Sequence, residues 1–211
     1  MIGLGSYLAF LGVSLLVICT PGQDTALTIR NTLLGSRATG VATAVGVSAG
    51  QAAWTVATSA GLAVVLMASG PLFLAIRLAG AAYLVYLGIR SLLKAMLRQE
   101  MGDAAPVRSR LSPRAAFVQG FLSNLSNAKM VAFFISLLPP FAGPRPSFAL
   151  LLALGLNFSL LTLAWLAGYA VAVARFGRWL RRGSVRPALD AVLGAVLVGL
   201  GLRVGSEVLT A

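Results

Sequence analysis

Apolar residues run along this chain in six long stretches separated by short polar links. The stretches cover about Gly3–Ile29, Thr39–Met67, Leu72–Leu93, Ala115–Leu138, Phe148–Ala174 and Ala188–Leu209. Each is long enough for the roughly 20 residues that a helix needs to cross a bilayer. The pattern predicts an all-α membrane protein of six transmembrane helices in a single domain spanning residues 1–211. The longest polar stretch, about 94–114, divides it into halves of about 1–98 and 113–211. Three spans per half place the halves in opposite orientations, so a 3+3 inverted repeat is the expected architecture.

Two of the six stretches are interrupted. In the first, Thr20-Pro21-Gly22-Gln23-Asp24 follows a largely apolar run that ends at Ile18-Cys19. Proline lacks the N–H that would bond back along the helix, and its ring clashes with the preceding turn. In the fourth, Ser123-Asn124-Leu125-Ser126-Asn127-Ala128-Lys129 stands where hydrocarbon-facing residues belong. Irregular or polar backbone at membrane depth survives only when buried in protein or lining a watery cavity. Interrupted helices 1 and 4 therefore mark a transport site. A lysine at mid-span costs about 2.5–3.5 kcal/mol on insertion scales, and Asp24 is the only carboxylate deep in a span. A direct Asp24–Lys129 ion pair is expected.

Helical geometry adds two expectations. Thr20, Asp24, Thr28 and Asn31 fall within about 80° of one another at 100° per residue, a polar stripe suited to a vestibule leading to the break. Asn124 and Asn127 share a face, whereas Asn127 and Lys129 point about 160° apart in a regular helix. They line one cavity only if the backbone opens between them or each serves a different side. In the second stretch, Ser48, Gln51, Thr55 and Thr58 lie at helical spacing beside Gly46 and Gly50, a pattern of helix packing through small residues. Gln51 is the member best placed to face a cavity, and Asn157 in the fifth stretch is a similar candidate. Gly194, Gly201 and Gly205 read as packing positions.

Charge sets the orientation. The chain carries 17 Lys and Arg against 5 Asp and Glu, with 58% hydrophobic and 10% charged residues. Mean hydropathy is +0.90. The links after stretches one, three and five hold Arg30 and Arg37, the cluster from Arg90 to Arg114, and the run from Arg175 to Arg186; the other links hold Arg145 alone. The positive-inside rule makes the first set cytoplasmic and puts both termini outside. Arg77 and Arg203, near the outer ends of their spans, can snorkel to the interface. Because the basic residues lie in links, nucleic acid is not an expected partner. The first stretch has no basic leader and reads as a retained span rather than a signal peptide.

The residue inventory excludes other chemistry. Histidine is absent and Cys19, read as a small buried residue, is the only cysteine. No soft-ligand metal cluster, cofactor or nucleophile–base arrangement is expected, and the chain is not read as an enzyme. The break supplies free N–H groups on one side and free C=O groups on the other. The N–H groups after Pro21 and Gly22, with Lys129, suit a carboxylate. The carbonyls before the break, with Asp24, Asn124 and Asn127, suit an ammonium. The candidate substrate-binding or coupling residues are thus Pro21, Gly22, Asp24, Gln51, Asn124, Asn127, Lys129 and Asn157, and the solute they fit best is a zwitterionic amino acid. Asp24 is the candidate proton carrier.

These residues resemble those of the lysine exporter (LysE/RhtB) family of bacterial amino-acid efflux proteins. The resemblance rests on Pro21 to Asp24, the Gly35-to-Gly46 stretch, Leu78-Ala79-Gly80-Ala81-Ala82-Tyr83-Leu84 with Tyr86-Leu87-Gly88, the Gly120-to-Phe134 block, and Gly199-Leu200-Gly201-Leu202-Arg203. It implies a multi-pass inner-membrane secondary transporter that exports amino acids or their derivatives, coupled to the proton-motive force. Its partners would be the amino acid, protons and the lipid bilayer, with a homo-oligomer left open. The alternatives are export of another small solute or cation on the same scaffold, or a non-transport assembly subunit. The sequence departs from the family pattern twice: Gln23 stands where the break usually has a second proline, and Ala128 where the segment-four block has one.

Overall fold

The computed structural model describes residues 3–61, 75, 78–79, 82–83, 85–90, 92–93, 96, 111–142, 147–180, 191–193, 195–199, 202 and 206. Among them every regular element is helical. In chain order they are α1 (Leu4–Cys19), α2 (Gln23–Leu34), α3 (Arg37–Ser59), α4 (Pro113–Leu125), α5 (Ala128–Ala132), a π-helical turn (Phe133–Leu137), α6 (Leu138–Phe141) and α7 (Phe148–Leu180). The described residues of 75–96 and 191–206 are helical as well.

Both interruptions are breaks. α1 stops at Cys19 because Thr20, the residue before Pro21, is pushed to extended backbone (φ −67°, ψ 114°). The Thr20 hydroxyl donates back to the Leu16 carbonyl at 2.7 Å. Gly22 is also extended, and α2 starts at Gln23, bent 52° from α1. The second break forms without a proline. α4 begins with Ser112 accepting from the Ala115 N–H and Pro113 in the first turn, a favoured start. It ends at Leu125, and Asn127 then adopts extended backbone and caps α5 by accepting from the Lys129 N–H at 3.1 Å. The second pair of helical pieces is bent by 56°.

Helix α7 is long and apolar enough to cross a membrane over Phe148–Phe176, and each bent pair qualifies if counted as one broken span. That gives one span, or up to three, among the described residues. The described part of α3, rich in glycine and threonine, does not qualify by itself. Parts of stretches three and six and most of the 94–114 link lie outside the described residues, as do Arg77, Arg145, Arg203 and Gly194, Gly201 and Gly205.

α3 is the centre of the packing, running against both α4 and α7. Small residues let α3 and α4 meet backbone to backbone. A Cβ at Gly46 would overlap the Phe117 carbonyl, and one at Gly120 would overlap the Thr43 carbonyl. α2 wedges against α3, α7 and α4. An aromatic cluster is buried between the π-helical turn and α7: Phe133 stacks on Phe158 at 4.0 Å, and Phe134 meets Phe158 edge-on at 5.6 Å. α1 leaves Leu4, Leu8, Leu15 and Leu16 exposed, an apolar surface that suits lipid rather than water.

Three sequence expectations change here. Arg30 and Asn31 do not lie in a link: α2 continues to Leu34, and both are buried. Arg30 donates to Asn31 Oδ1 at 3.1 Å, and the Asn31 amide donates to Thr43 and to Gln119. Thr28 is buried too, donating to the Asp24 carbonyl, so the part of the expected vestibule stripe beyond Asp24 (Thr28 and Asn31) packs against protein instead. Cys19, expected inside, is exposed.

Candidate functional site

The two breaks meet, and each supplies donors to the other. Asp24 is the second residue of α2 and Lys129 the second residue of α5, so they hold equivalent places after their breaks. An aspartate in a first helical turn is favoured by the free N–H groups there. Asn124 Nδ2 donates to Asp24 Oδ2 at 3.0 Å and Asn127 Nδ2 donates to the same oxygen at 2.9 Å. The Ser123 hydroxyl points at Oδ1 from 3.4 Å. Three donors from the end of α4 and the second break thus hold one buried carboxylate on α2.

Lys129 is at the wrong end of its helix for a cation, and its contacts show what offsets that. Its ammonium donates to the carbonyls of Val17 at 3.1 Å and Thr20 at 3.0 Å. These belong to the C-terminal end of α1, where carbonyls lack intrahelical partners and the helix carries partial negative charge. The expected direct Asp24–Lys129 ion pair is therefore corrected: each charge is held by neutral groups from the opposite break. The free carbonyls of α1 compete with a carboxylate that is already three times bonded.

Both charges nevertheless face one cavity of about 20 Å³, lined also by Val17, Thr25, Gln51 and Phe158. That volume holds about one water. Gln51, 1% exposed, reaches it from α3 with its Nε2 3.4 Å from Met130 Sδ, and its Oε1 has no donor. Asn124 Oδ1 is likewise unpartnered. The opening between Asn127 and Lys129 resolves their opposed faces: with Asn127 extended as a cap, its amide reaches Asp24 while Lys129 reaches α1. Gly22 lies beside Lys129, and a Cβ there would lie 3.4 Å from Nζ, whereas Pro21 is exposed. Asn157 is placed apart, donating to the Tyr7 hydroxyl on α1 at 2.8 Å.

Sequence reasoning missed two members. Gln23 counted only as an absent proline, yet its buried amide donates to the Ser123 carbonyl at 2.5 Å, tying the start of α2 to the end of α4. Ser123 serves both Gln23 and Asp24. Its signal was present in the polar run from Ser123 to Asn127. Among the described residues no three of His, Cys, Asp and Glu lie together.

A family model described as LysE type translocator matches residues 15–207. An uncharacterized membrane protein of Bacillus subtilis, YrhP, is 30% identical over 95% of this chain and 98% of its own length. A homoserine/homoserine lactone efflux protein of Salmonella typhimurium is 29% identical over 95% of this chain and 96% of its own. A threonine efflux protein of Salmonella typhi is 27% identical, covering 90% and 93%. No solved structure matches the chain significantly.

Proposed function

The chain belongs to the LysE type translocator family, and on that premise we propose that it is a secondary transporter exporting amino acids or amino-acid derivatives. The observation that carries this reading is the facing of Asp24 and Lys129 across one small cavity between two broken helices. A zwitterion needs a cation and an anion of the site within a few ångströms of each other, and a bare sugar or simple anion does not. Relatives named as threonine and homoserine efflux proteins support the same class of solute.

The six-span architecture with a 3+3 inverted repeat belongs to this proposal. It is supported by two bends of similar size and by the equivalent places of Asp24 and Lys129 after them. Asp24, Asn124, Asn127, Lys129 and Gln51 are the binding and coupling residues, with Pro21 and Gly22 as the backbone that opens the site. Asn157 stands outside this set because its amide is spent on Tyr7. Coupling is to the proton-motive force of the bacterial inner membrane, with both termini outside. Reporter fusions at each terminus test that orientation, and a cytoplasmic terminus reverses it.

The deciding experiment is counterflow of labelled amino acids in proteoliposomes carrying an imposed pH gradient. Saturable flux of a subset of amino acids, accelerated by the gradient, is expected. Flux of only metals or sugars moves the assignment to another small solute, and no flux of any solute moves it to a non-transport role.

A further inference from the structure

Lys129 occupies a place made for a free ammonium ion. The carbonyls of Val17 and Thr20 converge on its Nζ from 3.1 and 3.0 Å, and both lie at the C-terminal end of α1. Helix ends of this kind attract cations. Nothing in this geometry requires that the ammonium be attached to the protein. Gly22 keeps the approach clear, since no side chain stands between the break and Nζ. Lys129 is half-buried on a flexible four-carbon stem, so it can leave.

The cavity beside it explains why it must. At about 20 Å³ it holds one water and not an amino acid. Room for a solute comes only from moving a group that lines it. Two of the other polar liners are held in place, Asp24 by three donors and Thr162 by its bond to the Phe158 carbonyl, while Gln51 is 1% exposed and makes a single contact, from Nε2 to Met130 Sδ. Lys129 is the long, half-buried one among them. Its withdrawal empties the two carbonyls and enlarges the cavity next to Asp24 in one movement. It also leaves Gln51 Oε1, which has no donor now, within the widened space.

We propose that the Val17 and Thr20 carbonyls form a subsite for a primary ammonium group, which Lys129 fills as a tethered stand-in until the ammonium of a solute replaces it. The exchange trades one set of N–H···O bonds for an equivalent set, so little hydrogen bonding is lost when the solute enters. Two carbonyls need at least two N–H donors from one nitrogen, which a primary ammonium such as that of Lys129 supplies, a secondary one matches and a tertiary one lacks. A quaternary ammonium has none. The identity of the solute rests on the amino-acid reading above; the subsite itself does not.

The test removes the tether. Purified Lys129→Ala is melted in detergent with increasing methylammonium chloride, and with tetramethylammonium chloride at matched ionic strength. Methylammonium is expected to raise the melting temperature of the variant saturably, by about 2–6 °C. Tetramethylammonium should not do so, and the unsubstituted protein, whose subsite is filled, should respond to neither. No rise, an equal rise with tetramethylammonium, or an equal rise in the unsubstituted protein overturns the proposal. Should Lys129→Ala give no folded protein, recovery of a monodisperse peak on size exclusion when it is extracted in methylammonium, but not in tetramethylammonium, takes the place of the melt. Absence of recovery in both counts against it. Because the readout is an amine on a protein that need not transport, it separates from the flux assay. Methylammonium stabilisation without amino-acid flux keeps the subsite and removes the amino acid.

Discussion

Asn127 uses both ends of one amide: its oxygen caps α5 by accepting from the Lys129 N–H, and its nitrogen donates to Asp24 at 2.9 Å. A single residue thus ends the second break and anchors the carboxylate that follows the first. Replacing Asn127 by alanine is expected to remove a cap worth about 0.5–2 kcal/mol and a hydrogen bond to a charge worth about 1.5–3 kcal/mol. Asn127→Asp keeps the cap acceptor but sets a second carboxylate against Asp24. Thermal melts of both in detergent check this: if Asn127→Asp is as stable as the parent, the bond to Asp24 carries no weight.

Asp24→Asn preserves shape and removes charge. Export is expected to fall tenfold or more, a loss of about 1.4 kcal/mol or greater in transition-state stabilisation, while the amount of protein in the membrane holds. Initial rates in proteoliposomes, normalised to reconstituted protein, decide it. Unchanged transport would remove Asp24 from the centre of the mechanism.

The missing prolines give a paired comparison. Both Gln23 and Ala128 are first residues of their helices, where proline is well tolerated, and both follow extended backbone. Gln23→Pro and Ala128→Pro should therefore fold. Only Gln23→Pro loses the bond to the Ser123 carbonyl, so it should alter the export rate several-fold while Ala128→Pro stays near the parent. Equal rates for the parent and both variants would mean that the bond between the breaks does not control transport.

At the α3–α4 contact, Gly46→Ala and Gly120→Ala each force a methyl into a facing backbone carbonyl. Overpacking of this kind costs about 1–3 kcal/mol, and neither side is a flexible side-chain end that can swing away. Gly168→Ala on α7, with nothing within 4 Å of the added atom, should melt at or slightly above the parent. Similar melting temperatures for all three would contradict the close approach.

The two breaks were legible in the sequence because a proline beside polar residues is expensive in lipid and persists there only with a compensating environment. The pairing within it was not. Counting charges matched Asp24 with Lys129, but a broken helix also frees carbonyls, and these do not show in side-chain identity. Arg30 and Asn31 were misplaced for a related reason: a basic residue at the edge of an apolar run reads as the start of a link. The partners that permit its burial, Thr43 and Gln119 around Asn31, come from elsewhere in the chain. The Tyr7 phenol that accepts from Asn157 was equally invisible, since it lies on α1, 150 residues away in the sequence.

The glycine contact between α3 and α4 has a mechanical consequence. Where two main chains touch with no side chain between them, there is no rotamer to turn and no slack to absorb sliding. The two helices behave as one strut, and, on the transport reading proposed above, a cycle that opens the protein first to one side and then to the other must bend around it. The compliant parts are then the extended residues Thr20, Gly22 and Asn127, so on that reading the same few peptide units that create the proposed binding groups also serve as the joints.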